Sequence, residues 1–208
     1  MNKLVILGNG YIGKKAYNYF LKNLENLHDV VHLCNYEYNN PEKLKETLFN
    51  DILNEIRGSN PRWIINCVGY TGKPNVDACE ENKQICWDLN VTFPVMLANF
   101  CVQNNIKIIN ISSGCVYDGD IPYTEEDEPN FGLTNPNSSW YSKTKHAAEL
   151  CLENFSNVYT LRIRMPVCSD FNSQKNYLSK ILKYNNILDE VNSKTVIEDL
   201  LHVINRII

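Results

Sequence analysis

Two short stretches of this chain hold side chains that could move a proton between them. "NISSGCVYDG" occupies 110–119 and "WYSKTK" occupies 140–145. Tyr141 and Lys145 are four residues apart, which puts them on one face of a helix. When a hydride reduces a ketone it leaves an alkoxide, and the alkoxide needs a proton donor. A phenol with its ordinary pKa of about 10 works better near neutrality if a neighbouring cation stabilises the phenolate. Lys145 can be that cation, and Ser113 can hydrogen-bond the oxygen on which charge develops. Taken alone, the Tyr-x-x-x-Lys spacing is a common accident in helices and fits a solvated helix face better. What separates the two readings is the setting, in which Ser112 and Ser113 close the preceding strand and a glycine loop opens the chain. Cys115 stands inside the first stretch, and spacing alone does not give it a task.

The glycine loop is Gly8-Asn9-Gly10-Tyr11-Ile12-Gly13, a G-x-G-x-x-G between a short apolar run and a helical pattern. Gly8 permits the tight turn, Gly10 lets a pyrophosphate approach the backbone, and Gly13 allows close helix–strand packing. The helix start at Tyr11 and Ile12 supplies N–H donors and a favourable dipole for phosphate. An acid about 20 residues on would bind the ribose hydroxyls of NAD. Here the second strand ends Leu33-Cys34-Asn35, Glu37 comes late, and no arginine stands ready for a 2′-phosphate. The missing acid favours NADPH, with NADH as the alternative and Asn35 at the ribose.

The elements that must position these residues alternate. Strands are predicted at 3–7, 29–34, 62–68, 106–112 and 158–164. Helices are predicted at 10–24, 41–56 with Pro41 in its first turn, 82–104 with a kink or restart at Pro94, and 139–155. Repeated strand–helix–strand units predict an α/β fold, a Rossmann-like doubly wound parallel sheet with helices on both faces. Two further helices, at 173–184 and 194–208, follow the last strand. The expected division is a dinucleotide-binding domain with the catalytic residues at 1–165 and a small, partial substrate-binding region at 166–208.

The bulk composition excludes several classes. The chain has 208 residues, is 44% hydrophobic and 21% charged, and carries a formal charge of −4. No Lys/Arg run resembles a phosphate-tracking patch, so nucleic acid is not an expected partner. No stretch approaches the roughly 20 apolar residues of a membrane span. Glycines interrupt the N-terminal apolar run before a signal sequence is complete. The eight cysteines and four histidines are scattered without metal-ligand spacing, so no metal is expected, and most read as core residues. Together these features predict a soluble, cytoplasmic protein.

Longer stretches carry a family resemblance: "NCVGYTGKPNVDACE" (66–80), "INISSGCVYDG" (109–119), "EEDEPNF" (125–131), "WYSKTK" (140–145) and "TLRIRMPVCSDFNSQKNYLSKI" (160–181). The chain resembles the extended short-chain dehydrogenase/reductases that act on nucleotide sugars. Within them it is similar to the dTDP-4-dehydrorhamnose reductases and the plant-type nucleotide-rhamnose synthase/epimerase-reductases. The resemblance implies that Ser113, Tyr141 and Lys145 are the reductase triad. It implies that Asn66, Val68, Tyr70 and Arg164 serve the cofactor, and that Thr71, Asn90 and Asn172 serve the sugar. It also gives Cys115 a part. Members of this kind invert C3 and C5 of a 4-keto-6-deoxy sugar before reducing C4, with Cys115 and Lys180 as an additional acid–base pair. The implied reaction converts UDP-4-keto-6-deoxy-D-glucose to UDP-L-rhamnose with NADPH, and a homodimer is the implied assembly.

The pattern departs from the family in two ways. The glycine loop is one residue shorter than the G-x-x-G-x-x-G usual there, and family members are longer, so the substrate region is expected to be incomplete. Two alternatives therefore stand beside the bifunctional reading. One is a dTDP-4-dehydrorhamnose reductase without epimerase activity, and the other is a non-catalytic dinucleotide-binding regulatory subunit.

Overall fold

A computed structural model describes residues 3–23, 30–33, 46–173, 175–187 and 189–208. Five strands, β1 (Lys3–Leu7), β2 (Val30–Leu33), β3 (Pro61–Asn66), β4 (Lys107–Ser113) and β5 (Val158–Ile163), form one sheet in the order β2-β1-β3-β4-β5. Every pairing is parallel. Seven helices are described: α1 (Tyr11–Asn23), α2 (Glu46–Ser59), α3 (Lys83–Trp87), α4 (Phe93–Gln103), α5 (Trp140–Leu152), α6 (Tyr177–Ile181) and α7 (Ile197–Ile207). This is the expected Rossmann-like, doubly wound α/β architecture.

The period-2 alternation of the strands fills a core on each face of the sheet. Val5 and Leu7 of β1 pack with Ile52 and Ile56 of α2 and with Leu97 and Cys101 of α4. Leu4 and Ile6 point the other way, onto Ala16 and Phe20 of α1 and Leu201 and Ile204 of α7. Strand order reverses on either side of β1. The crevice at the carboxyl ends of β1 and β3 is therefore the switch point where such folds bind ligands.

Pro94 falls where a restart is expected. A π turn at Asp88–Thr92 joins α3 to α4, so the widened turn sits immediately ahead of the residue that has no N–H to give. The combined run Lys83–Gln103 is long and apolar enough to cross a membrane, contrary to the composition-based expectation. Its most apolar window is 61% buried inside the domain, as for a core helix.

Residues 166–208 divide between two places. α7 belongs to the main core through Ile197, Leu201 and Ile204. The helix expected over 173–184 contracts to the single short α6, whose N-cap Asn176 accepts from the Leu178 N–H. Pro41 and the rest of 34–45 lie outside the described residues, and α2 is described from Glu46.

Candidate active site

The glycine loop makes a cradle that side chains would fill. Gly8 has φ +100°, and a Cβ on it would stand 3.0 Å from the Cys67 carbonyl carbon. A Cβ on Gly13 would lie 2.1 Å from Gly8 O, whereas one on Gly10 would meet nothing within 4 Å. The backbone is thus closed behind the loop and open in front, and the first turn of α1 contains no acid to repel phosphate. These features fit a dinucleotide pyrophosphate at Gly10, Tyr11 and Ile12. His32 secures the loop from β2 by donating from Nε2 to Gly8 O at 2.8 Å while it stacks on Tyr17. The Tyr11 hydroxyl donates to Cys168 Sγ at 2.8 Å, and burial together with that contact pushes its pKa up. Lys15 pairs with Asp170 at 2.9 Å and holds the carboxyl below its usual range. Asn35 lies outside the described residues.

The loop after β3 forms the second wall. Asn66 is 1% exposed. Its amide donates to Asn110 Oδ1 on the neighbouring strand, and its Oδ1 accepts from the Val68 N–H. Asn90, in the π turn, accepts from the Tyr70 N–H at 2.8 Å and donates to Tyr70 O, Cys86 Sγ and Thr144 Oγ1. It therefore ties the loop to α5, and its amide is spent on protein partners. A Cβ on Gly69 would meet Lys145 Nζ at 3.4 Å, so the loop passes close over that ammonium.

β4 and α5 bring Ser113, Tyr141 and Lys145 together. Ser139 caps α5 by accepting from the Ser142 N–H. Ser113 closes β4, and its hydroxyl accepts from the Cys115 N–H on the side of the turn near Tyr141. Lys145 Nζ lies 5.9 Å from the Tyr141 ring centroid and donates to Ile111 O at 3.3 Å. Burial pushes the Tyr141 pKa up, nearby Cys115 adds to this, and the Ser113 hydrogen bond opposes it. Burial pushes the Lys145 pKa down. Burial thus opposes charge on both groups while the site is empty of negative charge.

Cys115 is half-buried beside this group, packed with Tyr141, Tyr70, Cys79 and Cys86. Its carbonyl accepts from the Ser142 hydroxyl at 2.9 Å. The neighbouring Cys79 thiol pushes the Cys86 thiol below its usual range, with help from Thr144, Lys145 and Asn90.

Other expected site residues stand elsewhere. Among the described residues no hydrogen bond joins Lys180 to Cys115; its charged neighbour is Lys175, whose pKa burial and the charges of Lys180 and Lys73 push down. Thr71 and Asn172 are exposed. The Arg164 guanidinium donates to Asn192 Oδ1 and Gly114 O. Arg164 lines a groove on the β5 side together with Asp118, Glu149 and Glu190, and the Gly8–Gly13 loop contributes nothing to that groove. The spacing signals also pass over His32, Thr144 and Glu149. Glu149 alone could have been found from sequence, because it lies four residues beyond Lys145 on the same helical face.

A glycine cradle at the switch point of a parallel sheet, with Ser, Tyr and Lys converging beside it, defines an extended short-chain dehydrogenase/reductase-like fold. The chain belongs to the RmlD substrate binding domain family, whose description matches residues 1–201. It is 40% identical over 157 residues to the Arabidopsis thaliana trifunctional UDP-glucose 4,6-dehydratase/UDP-4-keto-6-deoxy-D-glucose 3,5-epimerase/UDP-4-keto-L-rhamnose-reductase, covering 72% of this chain and 23% of that protein. It is 38% identical over 160 residues to the Arabidopsis thaliana bifunctional dTDP-4-dehydrorhamnose 3,5-epimerase/dTDP-4-dehydrorhamnose reductase, covering 73% and 52% respectively. The crystal structure of the UDP-rhamnose synthase from Acanthamoeba polyphaga mimivirus superposes with a TM-score of 0.78 at 26% identity, over 99% of this chain and 70% of that one. The chain thus spans about a quarter to a half of the plant relatives' length.

Proposed function

We propose that this chain reduces the C4 ketone of a 4-keto-6-deoxy nucleotide sugar with NADPH, completing a UDP- or dTDP-L-rhamnose. The observation that carries this reading is the convergence of Ser113, Tyr141 and Lys145 on one side of the loop after β3, whose other side packs against Gly8 of the glycine loop. Two plant relatives whose names include the matching reductase activity support it. Gly10, Tyr11 and Ile12 would hold the pyrophosphate, and Lys145 would hold the nicotinamide ribose. Bound there, the reduced nicotinamide supplies the hydride for C4.

The chain's own residues do the rest. Ser113 donates to the C4 oxygen and orients it, and Tyr141 passes its phenolic proton to that oxygen as charge develops. The Lys145 ammonium, one helical turn away, stabilises the phenolate that remains. The Lys145 pKa, lowered by burial, rises once a negative charge forms beside it. Asn90 and Asn66 act one step back, fixing the loop that walls the cleft.

Epimerisation at C3 and C5 is the finer part of the proposal. Cys115 lies beside Tyr141 and Ser113, where a base for a carbon alpha to the ketone is needed. Lys180 is the weaker member of that pair in this geometry. A reductase without epimerase activity is the second reading, favoured by the absence of a hydrogen bond between Lys180 and Cys115 among the described residues. Two substrates separate them. With UDP-4-keto-L-rhamnose, either enzyme consumes NADPH. With UDP-4-keto-6-deoxy-D-glucose, only the bifunctional enzyme yields UDP-L-rhamnose. A chain that binds NADPH and consumes it with neither sugar would refute both readings.

A further inference from the structure

A chain of polar contacts runs behind the candidate site, linking the two elements that carry its reactive groups. Glu149 is a buried carboxylate on α5, one turn beyond Lys145 and 8% exposed. One of its oxygens accepts from the Ser112 hydroxyl, on the residue immediately before Ser113. The other is held by Arg162 of β5, from both Nε and Nη2 at 2.9 Å. Arg162 pairs in register with Ser112 across the sheet. Its remaining arm, Nη1, donates to the Tyr117 hydroxyl, and Tyr117 in turn donates to Asp127 O at 2.7 Å. The Tyr117 ring lies under the same guanidinium, whose carbon is 5.3 Å from the ring centroid, and stacks on Tyr123 at 4.8 Å.

The path therefore brackets the segment with Ser113 and Cys115 on both sides. Ser112 precedes it, and Tyr117 follows the single 3₁₀ turn Gly114–Val116. The other end of the path is rooted in the helix that carries Tyr141 and Lys145. We propose that Glu149, Arg162 and Tyr117 are positioning residues that set the distance between the Ser113–Cys115 turn and the Tyr141–Lys145 helix. This rests on the function proposed above, but it is a statement about geometry that can also be read without turnover.

Physical considerations favour a device over a plain fastening. Burying the Glu149 carboxylate is costly unless its acceptors are used, and an apolar contact could join α5 to the sheet at lower cost. What the charged set adds is direction. A planar guanidinium fixes two partners at once in fixed orientations, one on α5 and one on the turn. Lysine could hold either partner but not both in that geometry.

The test uses Glu149→Gln, Arg162→Lys, Tyr117→Phe and the double variant Glu149→Gln/Tyr117→Phe. Glu149 and Tyr117 do not bond to each other but share Arg162, and Arg162→Lys separates coupling through that shared partner from the direct charge interaction of the Glu149 carboxylate with Tyr117. The first readout is the rate at which iodoacetamide alkylates Cys115, located by peptide mass, with thermal unfolding recorded on each variant. Each single variant is expected to raise the rate about fivefold, and the double variant to raise it no further, since all cut the same path. The second readout is sugar reduction, where Glu149→Gln should lower kcat about tenfold and leave KM within about twofold. Tyr117→Phe loses one hydroxyl and keeps the ring, so it tests the path even if Glu149→Gln fails to fold. Folded variants with unchanged Cys115 alkylation, or a double variant whose effects multiply, would overturn the proposal. A wild-type chain that reduces no sugar while the alkylation pattern holds would sink the proposed function and leave the positioning intact.

Discussion

Gly10 and Gly13 belong to one loop, yet alanine at each should fail for different reasons. At Gly13 the new methyl would stand 2.1 Å from Gly8 O, where real contacts begin near 3.0 Å, so backbone must give by about 0.9 Å. The clash is with a carbonyl that is itself gripped by His32, so no flexible side chain can swing aside. Overpacking costs roughly 1–3 kcal/mol where side chains can adjust, and a backbone clash belongs at or above the upper end. Gly13→Ala should therefore lower the unfolding free energy by about 3 kcal/mol and abolish NADPH binding. At Gly10 there is nothing within 4 Å, so Gly10→Ala should unfold within about 0.5 kcal/mol of wild type. Its methyl projects into the space a pyrophosphate must enter. Loss of one charge-assisted hydrogen bond, about 1.5–3 kcal/mol, weakens NADPH binding roughly ten- to hundredfold. Urea denaturation gives the first quantity, and quenching or enhancement of nicotinamide fluorescence gives the second. Wild-type affinity in Gly10→Ala would refute the cradle, because the one open face of the loop would then not face phosphate.

Lys145→Met should stabilise the fold by about 1–3 kcal/mol and eliminate sugar reduction, since it removes a buried charge that no described carboxylate pairs directly. The sign of its pH dependence follows from the depressed pKa. Between the folded-state value and the ordinary 10.5, the unfolded chain binds the extra proton, so wild-type stability rises with pH in that window. The gain from Lys145→Met should accordingly shrink as denaturation is measured at increasing pH through the same window. Asn90→Ala strands the N–H and the carbonyl of Tyr70 and should cost about 3 kcal/mol in urea denaturation. Cys115→Ala should stop solvent deuterium from entering C3 and C5 of the sugar while reduction of UDP-4-keto-L-rhamnose continues. Equal deuterium uptake in that variant would remove Cys115 from the chemistry.

The fold was legible because both of its periods are written openly. Apolar runs such as "KLVIL" suit strands buried on two faces, and the glycines mark where β1 turns into α1. Ser113, Tyr141 and Lys145 were legible because helical spacing and strand-end position are local properties. What escaped was held by long-range contacts. His32 reads as an ordinary strand residue, and only the parallel pairing of β1 with β2 brings it to Gly8. Arg162 and Tyr117 are 45 positions apart and meet because Ser112 and Arg162 are in register. Burial pushes the Tyr141 pKa up and the Lys145 pKa down. Proximity could be guessed from the spacing, but the burial that dominates both groups could not. The helix expected over 173–184 is described only at Tyr177–Ile181, where Asn176 caps its start, a boundary that the apolar period does not mark.

The most direct measurement follows deuterium from the nicotinamide of labelled NADPH to the sugar, with the wild-type chain and Tyr141→Phe assayed side by side on UDP-4-keto-L-rhamnose and on its dTDP counterpart. The account predicts deuterium at C4 of L-rhamnose from wild type with at least one of the two nucleotides. It predicts a loss of about a hundredfold or more in Tyr141→Phe, with NADPH affinity unchanged. A wild-type chain that binds NADPH and delivers no deuterium to either sugar, or a Tyr141→Phe variant as fast as wild type, would contradict it.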